Sequence, residues 1–281
     1  MEFLKIIYRG KEYSLKELVQ ETNKFSKDLL LPLSYQIDTN IVDFGLVHDK
    51  GYSIAGEKFN DLYSVLASAR LSLINAHTKI HKSGVTWNSG YSGQLWLRTQ
   101  FLQNSILWYN SCEDYFLQII WFAFDFYSDL ENYKSEMRKC SFKNIEKELN
   151  NYKSFQSANL LLENLLIYKE NENVKNIREI SNSIKHKQLI RFYGLDEERN
   201  ISIESVNFKS TWIDPKIVDI DITINELISV HNSILSLGTF LLEFIKFDAM
   251  FPKDKNERIP WGETRPKAEY KKISISDKYA I

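Results

Sequence analysis

The chain has 281 residues, 43% hydrophobic and 26% charged, which is enough to bury a sizeable core and excludes disorder for its body. With 36 basic against 37 acidic side chains it is close to neutral, so overall charge cannot drive binding to nucleic acid and any such contact must come from a local patch. Ten glycines and five prolines argue against a turn-rich all-β protein, and two cysteines, Cys112 and Cys140, supply neither a disulfide framework nor metal-ligand spacing.

Taken in chain order, residues 3–8 read as a short strand followed by the turn Arg9-Gly10-Lys11. Ser14 with Glu17 is a capping box that opens a helix through about Val19. Residues 30–56, with Pro32, Gly45, Gly51 and Gly56, read as an irregular, partly extended cover. From about Glu57 to Lys82 the period turns helical: Leu62, Leu66, Ala69, Leu73 and Ala76 follow the three-four spacing. A second long helix is expected from about Gln94 to Ser128, apolar nearly all round. Its exception is a seam of Asn104, Ser111, Gln118 and Asp125, seven residues apart, with Glu113 and Asp114 beside it. On a helix such a repeat drifts by only about 20° per step. The most apolar run, Tyr115 to Tyr127, is too short and too polar to span a bilayer. No secretory segment follows Met1, so a cytoplasmic protein without membrane contact is expected.

Weaker helical patterns cover 142–149 and 155–168. A further helix is expected from about Val174 to Tyr193, with Gly194 as its left-handed cap. A β-hairpin is expected over 201–222, then a capping box of Thr223 with Glu226 and a third long helix to about Met250. The charged segment after it holds three of the five prolines and reads as an extended tail. The reading is a mainly α protein, a bundle of long helices with a small β-hairpin insertion before the last one. It parses as an N-terminal extension (1–93), a helical domain (94–250) and the tail (251–281).

The candidate site lies on the helix expected from about Val174 to Tyr193. Arg178, Asn182 and His186 recur every fourth residue and so stack along one helical face, while Ile177, Ile180 and Ile184 cluster on nearly the opposite side. Between Lys175 and Arg191 lie five cations (Lys175, Arg178, Lys185, Lys187, Arg191) and one acid, Glu179, the most basic helix of a near-neutral chain. That composition suits a phosphate-facing patch, but in an arbitrary helix it more often marks a solvated face, and the regular stacking does not by itself reverse that balance. His48, His77, His81 and His231 form no spaced set with carboxylates or cysteines. Thr78 stands where a zinc-protease motif would place its Glu, so His77 and His81 read as helix-surface histidines, and no metal or cofactor is expected.

The run Ile177-Arg178…Ser181-Asn182-Ser183-Ile184-Lys185-His186, after a long aromatic-rich helix carrying Asp114, resembles the HEPN superfamily. More narrowly it resembles the clostridial, Cthe-type branch, whose motif helix carries Asn-x-x-Lys-His before a strand insertion. The resemblance covers roughly residues 95 to 250. It implies an up-and-down helical domain, often a homodimer, with motif helices lining a shared cleft, in proteins of toxin or phage-defence type. It implies a metal-independent endoribonuclease in which His186, Asn182 and Arg178 are catalytic, Lys185, Lys187 and Ser181 face substrate, and Asp114 with Glu113 supports them from behind. Ser181 stands where the family motif has its arginine, and seven residues separate Arg178 from His186, where the motif has four to six. The alternative is a non-catalytic module that binds RNA, a nucleotide or a partner protein through the same helix. In a third reading the stripe pairs with the Asn104–Asp125 seam and holds helices or protomers together.

Overall fold

The computed structural model describes residues 5–35, 37, 50–81, 90–186, 190–195, 217–245 and 247. They are mainly α-helical, a helical bundle with two small β elements. They group into two compact units, each assembled from three stretches of chain. The first comprises Met1–Leu31, Leu66–Asn110 and Asn171–Asn232; the second comprises Pro32–Val65, Ser111–Glu170 and Ser233–Ile281.

The first unit opens with a hairpin. Strand β1 (Lys5–Tyr8) pairs antiparallel with β2 (Lys11–Ser14), Lys5 opposite Ser14 and Tyr8 opposite Lys11. Arg9 (φ 49°) and Gly10 (φ 76°) make the turn, the left-handed pair that suits the right-handed twist of two strands. An arginine at positive φ is uncommon. Arg9 is held there by ion pairs to Asp219 (2.8 Å) and Asp221 (3.1 Å). Helix α1 (Leu15–Asp28) starts on the predicted capping box: the Glu17 amide donates to Ser14 Oγ (3.2 Å) and the Ser14 amide to Glu17 Oε2 (2.7 Å). It runs past the expected Val19 because Leu18, Phe25 and the buried Leu29 keep the helical phase through a polar stretch.

Helix α2 (Lys50–His77) contributes residues 66–77 to this unit, with Leu66, Ala69, Leu73 and Ala76 fully buried as the period requires. Helix α3 (Tyr91–Ala123) contributes 91–110, burying Leu102, Ile106 and Tyr109. The other helices of the unit are α7 (Glu172–His186) and the first half of α8 (Ile220–Ile245). Between them β3 (Arg191–Phe192) pairs in parallel with β4 (Ile217–Val218). Of the hairpin expected over 201–222, residues 201–216 lie outside the described residues. Its end is helical, because α8 begins at Ile220. The cap of α8 is Asp219 and not Thr223: Asp219 Oδ1 accepts from the amides of Asp221 (2.9 Å) and Ile222 (3.1 Å), while Thr223 is buried one turn in. Gly194 does take the left-handed conformation (φ 82°), in the turn after β3 rather than at a helix end.

In the second unit, the irregular cover expected over 30–56 is corrected at its C-terminal end. Helix α2 begins at Lys50, so Gly51 and Gly56 are helical. Gly51 is there for closeness: a Cβ would come within 2.5 Å of the Tyr127 ring and 2.7 Å of the Phe122 carbonyl. Gly238 leaves room for Tyr35 in the same way, and the Tyr35 hydroxyl donates to the Leu235 carbonyl. Helix α3 stops at Ala123, five residues before the expected end. Asp125 adopts φ 59°, and the amides of Phe126 and Asp125 return to the carbonyls of Trp121 (3.1 Å) and Phe122 (3.4 Å), the bonding of a Schellman cap. Asp125 therefore leaves the helix on which the seam placed it.

Helices α4 (Tyr133–Lys139), α5 (Phe142–Asn151) and α6 (Gln156–Glu170) complete the unit. Glu136, 1% exposed, organises the turn after α3 by accepting from Lys139 Nζ (2.7 Å), Ser128 Oγ (2.9 Å), Trp121 Nε1 (3.3 Å) and the Asp129 amide (3.3 Å). Burial alone would raise its pKa, but these bonds outweigh burial and hold the carboxyl down at about 2. An unfolded glutamate titrates at about 4.3. The stabilisation is therefore present above that pH and is lost as pH falls toward the folded value. Glu136→Gln is expected to cost about 2–3 kcal/mol at neutral pH and to flatten the acid limb of stability, measured by urea melts between pH 2 and 7.

Among the described residues α8 alone is long and apolar enough to cross a bilayer, with mean hydropathy 1.4 over its best window. Ile224, Leu227, Val230, Ile234 and Leu237 are buried along one stripe, as in the core helix of a folded domain.

Candidate functional site

Helix α7 is oriented by its inward face. Asn171 caps it, its Oδ1 accepting from the amides of Asn173 (3.0 Å) and Val174 (3.2 Å). Val174, Ile177 and Ile180 are buried, and two amide side chains tie the helix to α8: Asn173 Nδ2 donates to Ser229 Oγ (2.9 Å) and Asn176 Nδ2 to Glu226 Oε1 (2.7 Å). With that face fixed, the predicted stripe points outward. Asn182, Lys185 and His186 are exposed and Arg178 is half-buried, all on one side of the helix. Consecutive members of an every-fourth-residue stripe lie about 6 Å apart along the axis, close to the spacing of phosphates on an extended strand.

Ser181 does not belong with them. It is 0% exposed, and its Oγ is buried with no hydrogen-bond partner among the described residues. The expectation that Ser181 faces substrate is thus corrected: it lies at the edge of the isoleucine face. Lys187 lies outside the described residues. Asp114 is exposed and Glu113 half-buried on the part of α3 that belongs to the second unit, whereas the stripe belongs to the first. An exposed Asn182 is also not the buried partner that a helix-clamping role requires. Asn182→Ala is expected to change stability by less than about 0.5 kcal/mol in a thermal melt.

The sequence reading missed a second polar centre of the first unit. Arg98, 1% exposed, comes from an apolar stretch of α3. Its Nε donates to the Ala76 carbonyl (2.7 Å), its Nη2 pairs with Asp221 Oδ1 (3.1 Å), and its guanidinium lies 4.9 Å from the centre of the Tyr8 ring. Asp221 also accepts from the Tyr8 hydroxyl (3.0 Å). His77, expected on a helix surface, is turned inward: its ring stacks on Phe25 with centroids 3.9 Å apart, and α2 ends there, so His81 is off the helix. Burial lowers the His77 pKa to about 4, so it is neutral at pH 7. A lone arginine among Leu95, Trp96 and Leu97 was the available signal.

His231 is fully buried, its Nε2 donating to the Leu30 carbonyl (2.6 Å) and its Nδ1 accepting from Tyr109 (3.0 Å), a structural role. Burial pushes the Cys112 thiol up, and burial beside Glu136 pushes Cys140 up to about 12, so neither is a thiolate nucleophile. No group of three His, Cys, Asp or Glu side chains among the described residues is arranged to hold a metal ion. The chain matches no family model, no curated protein and no solved structure.

Proposed function

We propose that the chain is a HEPN-like, RNA-directed protein that grips a phosphodiester backbone with the outward stripe of α7. The observation that carries this reading is the exposure of Asn182, Lys185 and His186 on one face of α7, beside the half-buried Arg178. Lys185 and Arg178 supply charge for phosphates one to two turns apart, and Asn182 offers both a donor and an acceptor between them. A second copy facing the stripe across a two-fold axis would turn it into a cleft.

Binding is favoured over cutting because the motif position that holds arginine in nucleolytic relatives is here the buried Ser181. Cleavage is the second reading, favoured by the exposed His186 at the open end of the stripe. In that chemistry the ribose 2′-oxygen attacks phosphorus in line, the 5′-oxygen leaves, and a cyclic phosphate forms. Histidine, the side chain that titrates nearest neutrality, moves the proton, and Arg178 stabilises the charge on phosphorus.

The test is fluorescence anisotropy of a labelled single-stranded RNA titrated with salt. The full chain is expected to bind at about 50 mM salt, and the Arg178→Ala/Lys185→Ala chain to bind more weakly, with a salt slope shallower by about 1.4 for two lost phosphate contacts. No binding at that salt, or identical slopes, would reject the reading. Product gels with the wild-type chain and His186→Ala decide the second reading: only cleavage that His186→Ala abolishes sustains it.

A further inference from the structure

The hairpin, α1, the C-terminal end of α2 and the start of α8 line a half-open cavity of about 380 Å³ within the first unit. That size suits one small ligand. Its aromatic walls are Tyr8, Tyr13 and the neutral His77; Asp221, Ile224 and Asn225 come from α8. Its cations are Arg9, Lys11 and Lys79, and Glu21 completes the lining.

The carboxylates here are already answered. Glu21 Oε1 accepts from Lys79 Nζ at 2.6 Å, and Lys79 lies between the Tyr8 and Tyr13 rings, 5.6 and 5.3 Å from their centres. Asp219 and Asp221 share Arg9, and Asp221 also holds Arg98. Lys11 is exposed over the Tyr13 ring at 4.8 Å, with no ion pair among the described residues. The cluster thus carries Arg9, Lys11, Lys79 and Arg98 against Glu21, Asp219 and Asp221, with Lys11 at the rim, where its charge also acts on the exposed Glu17.

Two buried polar atoms in the cluster have no hydrogen-bond partner among the described residues, Nδ1 of His77 and Nη1 of Arg98. Buried polar groups of folded proteins are nearly always satisfied; of these two, His77 lines the cavity and Arg98 lies behind Tyr8, so His77 Nδ1 is the orphan that a ligand there would meet. The groups that a ligand would meet divide in two, Arg9 being one that is already paired with Asp219 and Asp221. Lys11 and the edge of Arg9 suit an anion at the mouth. His77 Nδ1 and the exposed Asn225 amide suit the hydrogen-bonding edge of a ring, beside flat aromatic walls.

We infer that this cavity binds a nucleoside monophosphate group, its phosphate at Arg9 and Lys11 and its base edge at His77 and Asn225. Such a group comes either from a free mononucleotide or from the 5′-phosphorylated end of an RNA. The site is separate from the α7 stripe and stands without it.

Calorimetric titration of the full chain with AMP, GMP, CMP and UMP tests the inference, with the nucleosides and inorganic phosphate run beside them. At least one mononucleotide is expected to bind more tightly than its nucleoside and than phosphate. Lys11→Ala, a surface change checked by its melting curve, is expected to weaken it about tenfold, the loss of one charge-assisted contact. Asn225→Ala is expected to narrow the preference among bases. In the Arg178→Ala/Lys185→Ala chain, a 5′-phosphorylated oligoribonucleotide that binds more tightly than both its 5′-hydroxyl form and the mononucleotide assigns the site to chain ends, and the mononucleotide binding more tightly assigns it to free nucleotides. No mononucleotide binding at about 1 mM, binding no tighter than phosphate, or affinities unchanged in both variants would overturn the inference.

Discussion

Arginine placed at position 181 is expected to unfold the chain rather than complete a nuclease. Ser181 is 0% exposed and sits beside Ile177 and Ile180 on the buried face of α7. A guanidinium there has to enter an apolar space sized for a hydroxyl, with no carboxylate among the buried residues of that helix to meet it. Overpacking and the desolvation of a charge act together, and a loss of about 4 kcal/mol or more is expected for Ser181→Arg in urea melts. Asn182→Arg, one residue on and exposed, is expected to keep wild-type stability and to strengthen RNA binding. A stable Ser181→Arg chain that cuts RNA would mean that position 181 faces the cleft, and the orientation of α7 given above would be wrong.

Arg98→Ala is the second change with a large expected effect, a loss of about 3–5 kcal/mol. The alanine leaves the Ala76 carbonyl without its donor, takes a cation from Asp221 and opens a cavity behind Tyr8. The loss is limited at Asp221, which keeps Arg9 at 3.1 Å and the Tyr8 hydroxyl at 3.0 Å. Arg98→Met separates volume from charge. It refills the space and removes a buried ion, so it is expected to cost clearly less than alanine in the same thermal melts. Equal losses for both would place the stabilisation in the ion pair, and no loss for either would remove Arg98 from the core of the first unit.

Helices with an unbroken apolar period are legible in the sequence. Leu62, Leu66, Ala69, Leu73 and Ala76 drew α2, and all five are fully buried. The start of the same helix was hidden because glycine reads as a breaker, whereas Gly51 is kept for its closeness to Tyr127 and Phe122. The alternation Val218, Ile220, Ile222 looked like a strand, yet Asp219 caps a helix in its middle. Short motifs were only as good as their context: Ser14 with Glu17 caps a helix as read, and Thr223 with Glu226 does not.

At the site, helical phase was enough to turn Asn182 and His186 away from Ile177 and Ile180. It was not enough for Ser181, which sits at the boundary of the two faces, where only packing decides. The Tyr8–Arg98–Asp221 network and its cavity join residues more than two hundred positions apart. No periodicity carries such a contact, because it is made by the fold and not by any one element.

If the chain grips RNA as proposed, the outward face of α7 is where the two molecules touch. The most direct measurement is photocrosslinking of the full chain to a single-stranded RNA carrying 4-thiouridine, with the crosslinked peptides mapped by mass spectrometry. Contact there predicts crosslinks within residues 172–186, reduced in the Arg178→Ala/Lys185→Ala chain. Crosslinks confined to other segments, or none while RNA is bound, would contradict it.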